Sequence, residues 1–199
     1  IDIMLNNNGS ALTKKRAQQI LDSGLTRLRF SLDAYDDKTY SKVRVGSIAL
    51  DRVKRNIENF LELKEKGGYK LPIVGVSFCV LKQNENEVDQ FTNYWKNKVD
   101  IISIQKFVPP TPNKEKYREY YSSDQYHEKP LDKFNCVQPY QRLVIKNEFI
   151  YPCCVSFNKN LVLGSIKNTK IYDAWHSEKM NEIREIHKNG DYQKNKTCK

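Results

Sequence analysis

Arg27-Leu28-Arg29-Phe30-Ser31-Leu32-Asp33 alternates apolar and polar residues without a break. Side chains alternate along a strand, so Leu28, Phe30 and Leu32 share one face while Arg29, Ser31 and Asp33 share the other. A strand of a doubly wound sheet carries helices on both faces and should be apolar on both. A strand of a β/α barrel is covered only outside, and its inner face can present ligand-binding polar groups near the C-terminal end. The pattern repeats: Val74, Val76, Phe78 and Val80 oppose Gly75, Ser77 and Cys79, and Ile102 and Ile104 oppose Ser103 and Gln105. These stretches predict the C-terminal part of a partial β/α barrel with a polar lumen. An antiparallel sheet with one wet face is the competing reading.

The flanking sequence supports parallel strands. Strands are expected at Asp2–Asn6, Arg27–Asp33, Ile73–Leu81 and Ile101–Phe107, alternating with three amphipathic helices. The first helix runs from Lys14 to Ser23, capped by Thr13 and stopped by Gly24. The second carries Leu50, Val53, Ile57, Phe60 and Leu61 on one face and ends at Gly67-Gly68. The third spans Glu85 to Lys98, with Val88, Phe91 and Trp95 aligned.

The pattern then changes. Residues 1–108 form the barrel part, and 109–135, opened by Pro109-Pro110-Thr111-Pro112, read as a linker. The tyrosines at 117, 120, 121 and 126 follow, with no role that their pattern assigns. Residues 136–199 read as a small α+β domain. Gln141–Ile145 and Glu148–Tyr151 form a hairpin turning at Lys146-Asn147. Two terminal helices follow, separated at the N-cap Ser177, with Tyr172, Trp175, Met180, Ile183 and His187 as their apolar side.

Composition narrows the function classes. The 199 residues are 39% hydrophobic and 29% charged, which excludes disorder and a disulfide miniprotein. No run approaches the ~18 apolar residues of a membrane helix, and no secretory leader is evident, so a soluble cytoplasmic protein is expected. The net charge is +10, but basic groups such as Lys14-Lys15-Arg16 and Lys54-Arg55 are scattered. No basic stripe interleaved with aromatics emerges, and nucleic-acid binding is not expected. The first residue, Ile1, already lies in an apolar run, so the sequence is read as an internal piece of a longer protein.

Five cysteines stand at 79, 136, 153, 154 and 198. Cys79, mid-strand among apolar neighbours, is expected to be a small buried side chain. In a cytoplasmic chain the others point to a metal site rather than to disulfides. Thiolates suit both zinc and iron–sulfur iron. Cys136, Cys153 and Cys198, from three separate elements, would tie together a domain with little core of its own, and Cys154 is the alternative ligand. In the zinc case His127, His176 and His187 are further candidates, although His187 is read as packing or capping.

Asn7-Asn8-Gly9, Phe30-Ser31-Leu32-Asp33, Tyr40-Ser41-Lys42-Val43-Arg44 and the helix from Leu50 resemble the middle of a radical SAM barrel. Cys136, Pro139-Tyr140, Phe149-Ile150-Tyr151-Pro152-Cys153-Cys154, Leu163-Gly164, Ala174-Trp175-His176-Ser177, Met180, Arg184, His187, Gly190 and Cys198 resemble the SPASM or twitch extension. That extension holds auxiliary [4Fe–4S] clusters in many of these enzymes. The resemblance implies that Ser31 and Arg44 contact S-adenosylmethionine, the guanidinium gripping a carboxylate. Asn8 would shape the turn. One auxiliary cluster is implied at Cys136, Cys153 and Cys198. These three thiols are expected to converge with Cys154 turned aside, and a further cysteine two positions beyond Lys199 would close a Cys-x2-Cys pair.

The Cys-x3-Cys-x2-Cys loop that holds the family's S-adenosylmethionine-cleaving cluster is absent from these residues, and it is expected upstream. The piece alone should therefore be inactive. The implied activity is generation of a 5′-deoxyadenosyl radical that modifies a peptide or small-molecule substrate, with flavodoxin or ferredoxin as electron donor. The alternative is a non-catalytic, zinc-stabilised binding module with a basic surface.

Overall fold

The computed structural model describes residues 2–109, 115–127, 131–154, 161–195 and 198. Contacts divide the chain into two compact units, residues 1–108 with 114–128, and 109–113 with 129–199. Pro110-Thr111-Pro112-Asn113 of the expected linker lies outside the described residues.

The first unit is built on four strands, β1 (Met4–Asn7), β2 (Arg27–Ser31), β3 (Ile73–Val80) and β4 (Ile101–Lys106). They lie in the order β1-β2-β3-β4, and every neighbouring pair is parallel. Parallel crossovers are right-handed almost without exception, so sequential order sends every connecting helix to the same face. That is the winding of a barrel rather than of a doubly wound sheet.

The helices α1 (Lys14–Asp22), α2 (Asp37–Val43), α3 (Leu50–Lys66) and α4 (Val88–Trp95) share one core with the apolar strand faces. Ala17 and Leu21 of α1, Leu50, Val53, Ile57 and Phe60 of α3, and Phe91 and Trp95 of α4 meet Leu28, Phe30, Val74, Val76 and Phe78 there. Each such large side chain contributes roughly 1.5–3 kcal/mol by leaving water. Phe78 meets Phe91 edge-on at 4.9 Å, and Phe30 meets Phe60 at 6.2 Å. On β4 the alternation is weaker: Ile102 packs on the core, whereas Ile104 is exposed on a strand that, among the described residues, pairs with β3 alone.

Local chemistry sets the helix ends. The Thr13 hydroxyl accepts the Arg16 N–H, and Asp36 caps α2 by accepting from Thr39 at 2.8 Å. The α2 helix was not foreseen, because its seven residues carry no apolar stripe beyond buried Tyr40. After β1, Asn7 and Asn8 turn the chain by accepting from Gly9 and Ser10. Gly9 sits at φ +73°, and a Cβ there would stand 2.9 Å from a Val53 methyl.

Residues 115–127, within the span expected as a linker, pack on this first unit. Phe107, just past β4, lies against Tyr117, Tyr120 and Tyr121 with ring centroids 5.4–6.3 Å away. The Gln125 amide of α5 (Ser123–His127) accepts the Phe107 N–H and donates to its carbonyl, at 3.1 and 2.7 Å. Tyr117, Tyr120 and Tyr121 thus cover the end of β4.

The second unit carries α6 (Gln138–Gln141), β5 (Val144–Lys146), β6 (Phe149–Tyr151), β7 (Gly164–Ser165), α7 (Ile171–Trp175) and α8 (Glu178–Lys188). The hairpin forms, but Gln141 belongs to α6 rather than to its first strand, and β7 adds an unforeseen antiparallel third strand. Asn147 takes φ +58° in the hairpin turn. Ser177 caps α8 by accepting from Met180. Met180, Ile183 and His187 are buried, whereas Tyr172 is 70% exposed and does not join their side. Arg184 fastens these elements, donating to the Pro139 carbonyl at 3.1 Å and the Trp175 carbonyl at 2.9 Å while lying over the Trp175 ring.

Candidate functional site

The polar strand face of the first unit carries a row of hydroxyls. Ser31 is in register with Ser77, and Ser77 with Ser103, so one serine from each of β2, β3 and β4 stands side by side. The Ser31 and Ser77 oxygens are 3.3 Å apart. Gly75 keeps the same face open, since a Cβ there would meet the Ile101 carbonyl at 3.2 Å.

Beyond Ser31 the chain turns sharply at Asp33, which takes φ +63°. One Asp33 oxygen pairs with the Arg44 guanidinium, and the other accepts the Cys79 N–H at 2.8 Å. Asp36 and Asp37 are engaged elsewhere, as the α2 cap and as acceptor of the Leu50 N–H, so the Arg44 partner is Asp33. Arg44 itself is the residue that closes α2, its N–H donating to Tyr40 at 2.8 Å. The Arg44 Nε is buried without a hydrogen-bond partner. A guanidinium has five donors, and the bond to Asp33 uses one of them, so Arg44 keeps donors for an anion on this face. The residues present therefore fit a carboxylate-bearing ligand.

Two side chains that the sequence did not flag hold this turn. Asn84, 1% exposed, donates to the carbonyls of Asp33 and Cys79 at 2.8 and 2.9 Å and accepts the Leu81 N–H at 2.6 Å. Buried Glu87 accepts the Tyr35 N–H at 2.6 Å. Both precede α4, Asn84 just before the span expected as a helix and Glu87 inside it, and only their burial reveals the role. Cys79 lies on the same face. Burial, then the Asp33 charge, pushes its thiol up to about 11, with Arg44 opposing, so it is protonated at neutral pH.

In the second unit Cys136 precedes α6, Cys153 and Cys154 follow β6, and Cys198 lies beyond α8. No disulfide joins them among the described residues. Burial raises the Cys136 thiol, the Gln138 N–H opposes by donating to its sulfur, and charge on Cys153 or Cys154 would raise it further. Cys198 is pushed up to about 11, chiefly by burial and then by Cys153 and Cys136. Cys136, Cys153 and Cys198 thus lie within one another's electrostatic reach, whereas Cys154 acts on Cys136 and is exposed.

Among the described residues, no three His, Cys, Asp or Glu side chains draw together tightly enough to hold a single metal ion. A tetrahedral zinc with bonds of ~2.3 Å needs that tightness. The thiolates of a cubane cluster stand farther apart, at ~6–7 Å by geometry, because each binds a different iron. The donor set, soft thiols with an N–H aimed at one of them, fits a cluster. His127 belongs to the first unit, and His176 stacks on Tyr172 at 4.3 Å. His187 lies between two of the cysteines: its Nδ1 accepts the Cys136 N–H at 3.4 Å, and its Nε2 is 3.5 Å from the Cys198 sulfur.

Comparison with known proteins agrees with both halves. Residues 136–199 match the SPASM family, described as an iron–sulfur cluster-binding domain. The chain is 32% identical over 116 residues to "Probable GTP 3',8-cyclase" of Methanococcus aeolicus, covering 58% of this chain and 36% of that protein. It is 33% identical over 143 residues to GTP 3',8-cyclase of Thermodesulfovibrio yellowstonii, covering 70% and 41%. The structure of anSMEcpe with bound AdoMet and Cp18Cys peptide shares the fold at TM-score 0.65 and 14% identity, over 94% of this chain and 60% of that one. The chain thus spans well under half the length of these two relatives. A sequentially wound parallel sheet followed by a cysteine-bearing domain defines its kinship: residues 136–199 belong to the SPASM family, and the chain as a whole resembles radical SAM proteins.

Proposed function

We propose that the protein of which this chain is part binds S-adenosylmethionine on the polar face of β2–β4 and an auxiliary [4Fe–4S] cluster in residues 136–199. When bound, S-adenosylmethionine and the family's reduced cluster supply a 5′-deoxyadenosyl radical that abstracts hydrogen from a peptide or small-molecule substrate. Arg44, oriented by Asp33, would grip the carboxylate of the methionine moiety through its remaining donors. Ser31, with Ser77 and Ser103 in line, would offer hydroxyls to the ribose or the amino acid part. Cys136, Cys153 and Cys198 would hold the auxiliary cluster, with Cys154 as the alternative ligand. A flavodoxin or ferredoxin would deliver electrons, and the setting is cytoplasmic. No helix among the described residues is long and apolar enough to cross a membrane.

The observation that carries this reading is the Arg44 guanidinium, ion-paired to Asp33 yet left with a buried, unbonded Nε beside the strand ends. Buried donors without partners are rare in folded proteins, and ligand-binding positions are one place where they occur. The test is anaerobic reconstitution of the full-length protein with iron and sulfide, followed by calorimetric titration with S-adenosylmethionine. A brown protein that binds the ligand is expected. A colourless protein carrying one zinc per chain and showing no binding would return the reading to the zinc module.

A further inference from the structure

His187, expected from the sequence to pack or cap, or to bind metal in the zinc case, contacts both Cys136 and Cys198. It is 2% exposed, on the last turn of α8, in a helix whose cap and apolar face are otherwise accounted for. An imidazole buried to this degree needs partners for both nitrogens. Nδ1 has one that is unambiguous: the Cys136 backbone N–H can only donate, so Nδ1 must accept. In a neutral ring the single proton then belongs to Nε2. Nε2 faces the Cys198 sulfur at 3.5 Å, which makes the contact an N–H donated to sulfur. One ring therefore ties the backbone of the first cysteine to the side chain of the last, across 62 residues of sequence.

We propose that His187 is a positioning residue of the auxiliary cluster, its Nε2–H hydrogen-bonding the Cys198 thiolate and thereby raising the cluster's reduction potential. This inference rests on the assignment of Cys198 as a ligand under the proposed function. The physical reason is charge. One-electron reduction adds negative charge to the cluster and its thiolates, and a hydrogen bond to a ligating sulfur stabilises the more negative state more than the less negative one. Hydrogen bonds to charged groups are the stronger kind, so the differential effect should be on the order of tenfold in the reduction equilibrium, or 59 mV for one electron. The fixed ring also sets the direction of the Cys198 sulfur before any iron arrives.

The test uses the full-length protein, anaerobically reconstituted, as wild type, His187→Phe and His187→Gln. Iron content and the potential of the auxiliary cluster, from a redox titration followed by electron paramagnetic resonance, are the main readouts. The Phe variant keeps the volume without the donor and should hold iron while its potential falls about tenfold in equilibrium terms. The Gln variant restores an N–H near the Nε2 position and should recover most of the shift. Nitrogen-15 resonance of the wild-type ring should show the Nε2–H tautomer, a readout that needs no variant to fold. A Phe variant with full iron and the wild-type potential overturns the proposal, and so does an Nδ1–H tautomer in the wild type. A wild-type protein that assembles no auxiliary cluster sinks the underlying functional reading instead.

Discussion

Asp33 holds Arg44 by an ion pair while its second carboxylate oxygen takes the Cys79 N–H at 2.8 Å, so one side chain joins the end of β2, the end of α2 and the polar edge of β3. The pair is partly shielded, with the Asp33 side chain 14% exposed and that of Arg44 32%. Its worth for stability is modest, because desolvation offsets much of the attraction. Its consequence is orientation: Arg44 ends α2 and would otherwise be free to swing.

Calorimetric titration of the reconstituted protein with S-adenosylmethionine separates these roles. Arg44→Ala should cost roughly 1.5–3 kcal/mol of binding, the range for a hydrogen bond to a charged group, and Ser31→Ala about 1 kcal/mol, the neutral value. Asp33→Asn keeps the acceptor for Cys79 and tolerates the positive φ, yet removes the partner charge. It should weaken binding by an amount between those two. Iron content should stay unchanged in all three. Wild-type affinity in both Arg44→Ala and Ser31→Ala would refute the assignment.

Asn84 is the strongest stability prediction. Truncation to Ala leaves the Leu81 N–H without its side-chain acceptor and the carbonyls of Asp33 and Cys79 without the side-chain donor they share, all beside the core. A buried group left unsatisfied costs ~1–3 kcal/mol. Asn84→Ala should therefore destabilise by about 3 kcal/mol or more in urea unfolding. A loss under ~1 kcal/mol would show that water replaces the amide, which a well-packed site does not permit.

Cys79 supplies a pH dependence with a definite sign. Its folded value, about 11, lies above the ordinary thiol value of ~8.5–9. Between these values the unfolded chain has lost the proton that the folded one retains. The unfolded state then binds fewer protons, and stability falls as pH rises. The contribution is intact below pH ~8.5 and declines by at most ~1.4 kcal/mol per unit up to ~11. Urea unfolding of wild type and Cys79→Ala at pH 8, 9 and 10 should show wild type losing its advantage steadily. Alkylation of Cys79 should also keep accelerating past pH ~9.5, where an ordinary thiol levels off.

Much of this architecture is legible in the chain because its signals are local and repeated. Leu28, Phe30 and Leu32 alternate with polar residues, and only a sheet covered on one side accounts for that alternation. Thr13, Ser177 and the helical spacing of Leu50 to Phe60 mark their own helices. What escaped was non-local or too short to carry a period. The α2 helix has a single buried residue, and β7 has two residues, paired with β6, where Gly164 leaves no room for a Cβ beside Thr169. The pairing of Arg44 with Asp33, rather than with Asp36 or Asp37, depends on the left-handed turn at Asp33, which no spacing reveals. His187 could have been found only by knowing that α8 passes between Cys136 and Cys198.

The adjacent pair Cys153-Cys154 can be resolved by single substitutions. Both follow β6, but their surroundings differ: Cys154 is exposed, whereas Cys153 is half-buried and acts on both Cys136 and Cys198. A cluster is enclosed by its ligands, so the half-buried thiol is the better donor. Cys153→Ser, Cys136→Ser and Cys198→Ser should each lose the auxiliary cluster's iron after anaerobic reconstitution of the full-length protein. The small core of residues 129–199 should lose stability with it, since a bound metal centre contributes directly to the folding of such a unit. Cys154→Ser should retain full iron and the wild-type melting temperature. Iron analysis and thermal unfolding of the four variants decide the matter. Full iron in Cys153→Ser together with loss in Cys154→Ser would reverse the assignment and make Cys154 the ligand.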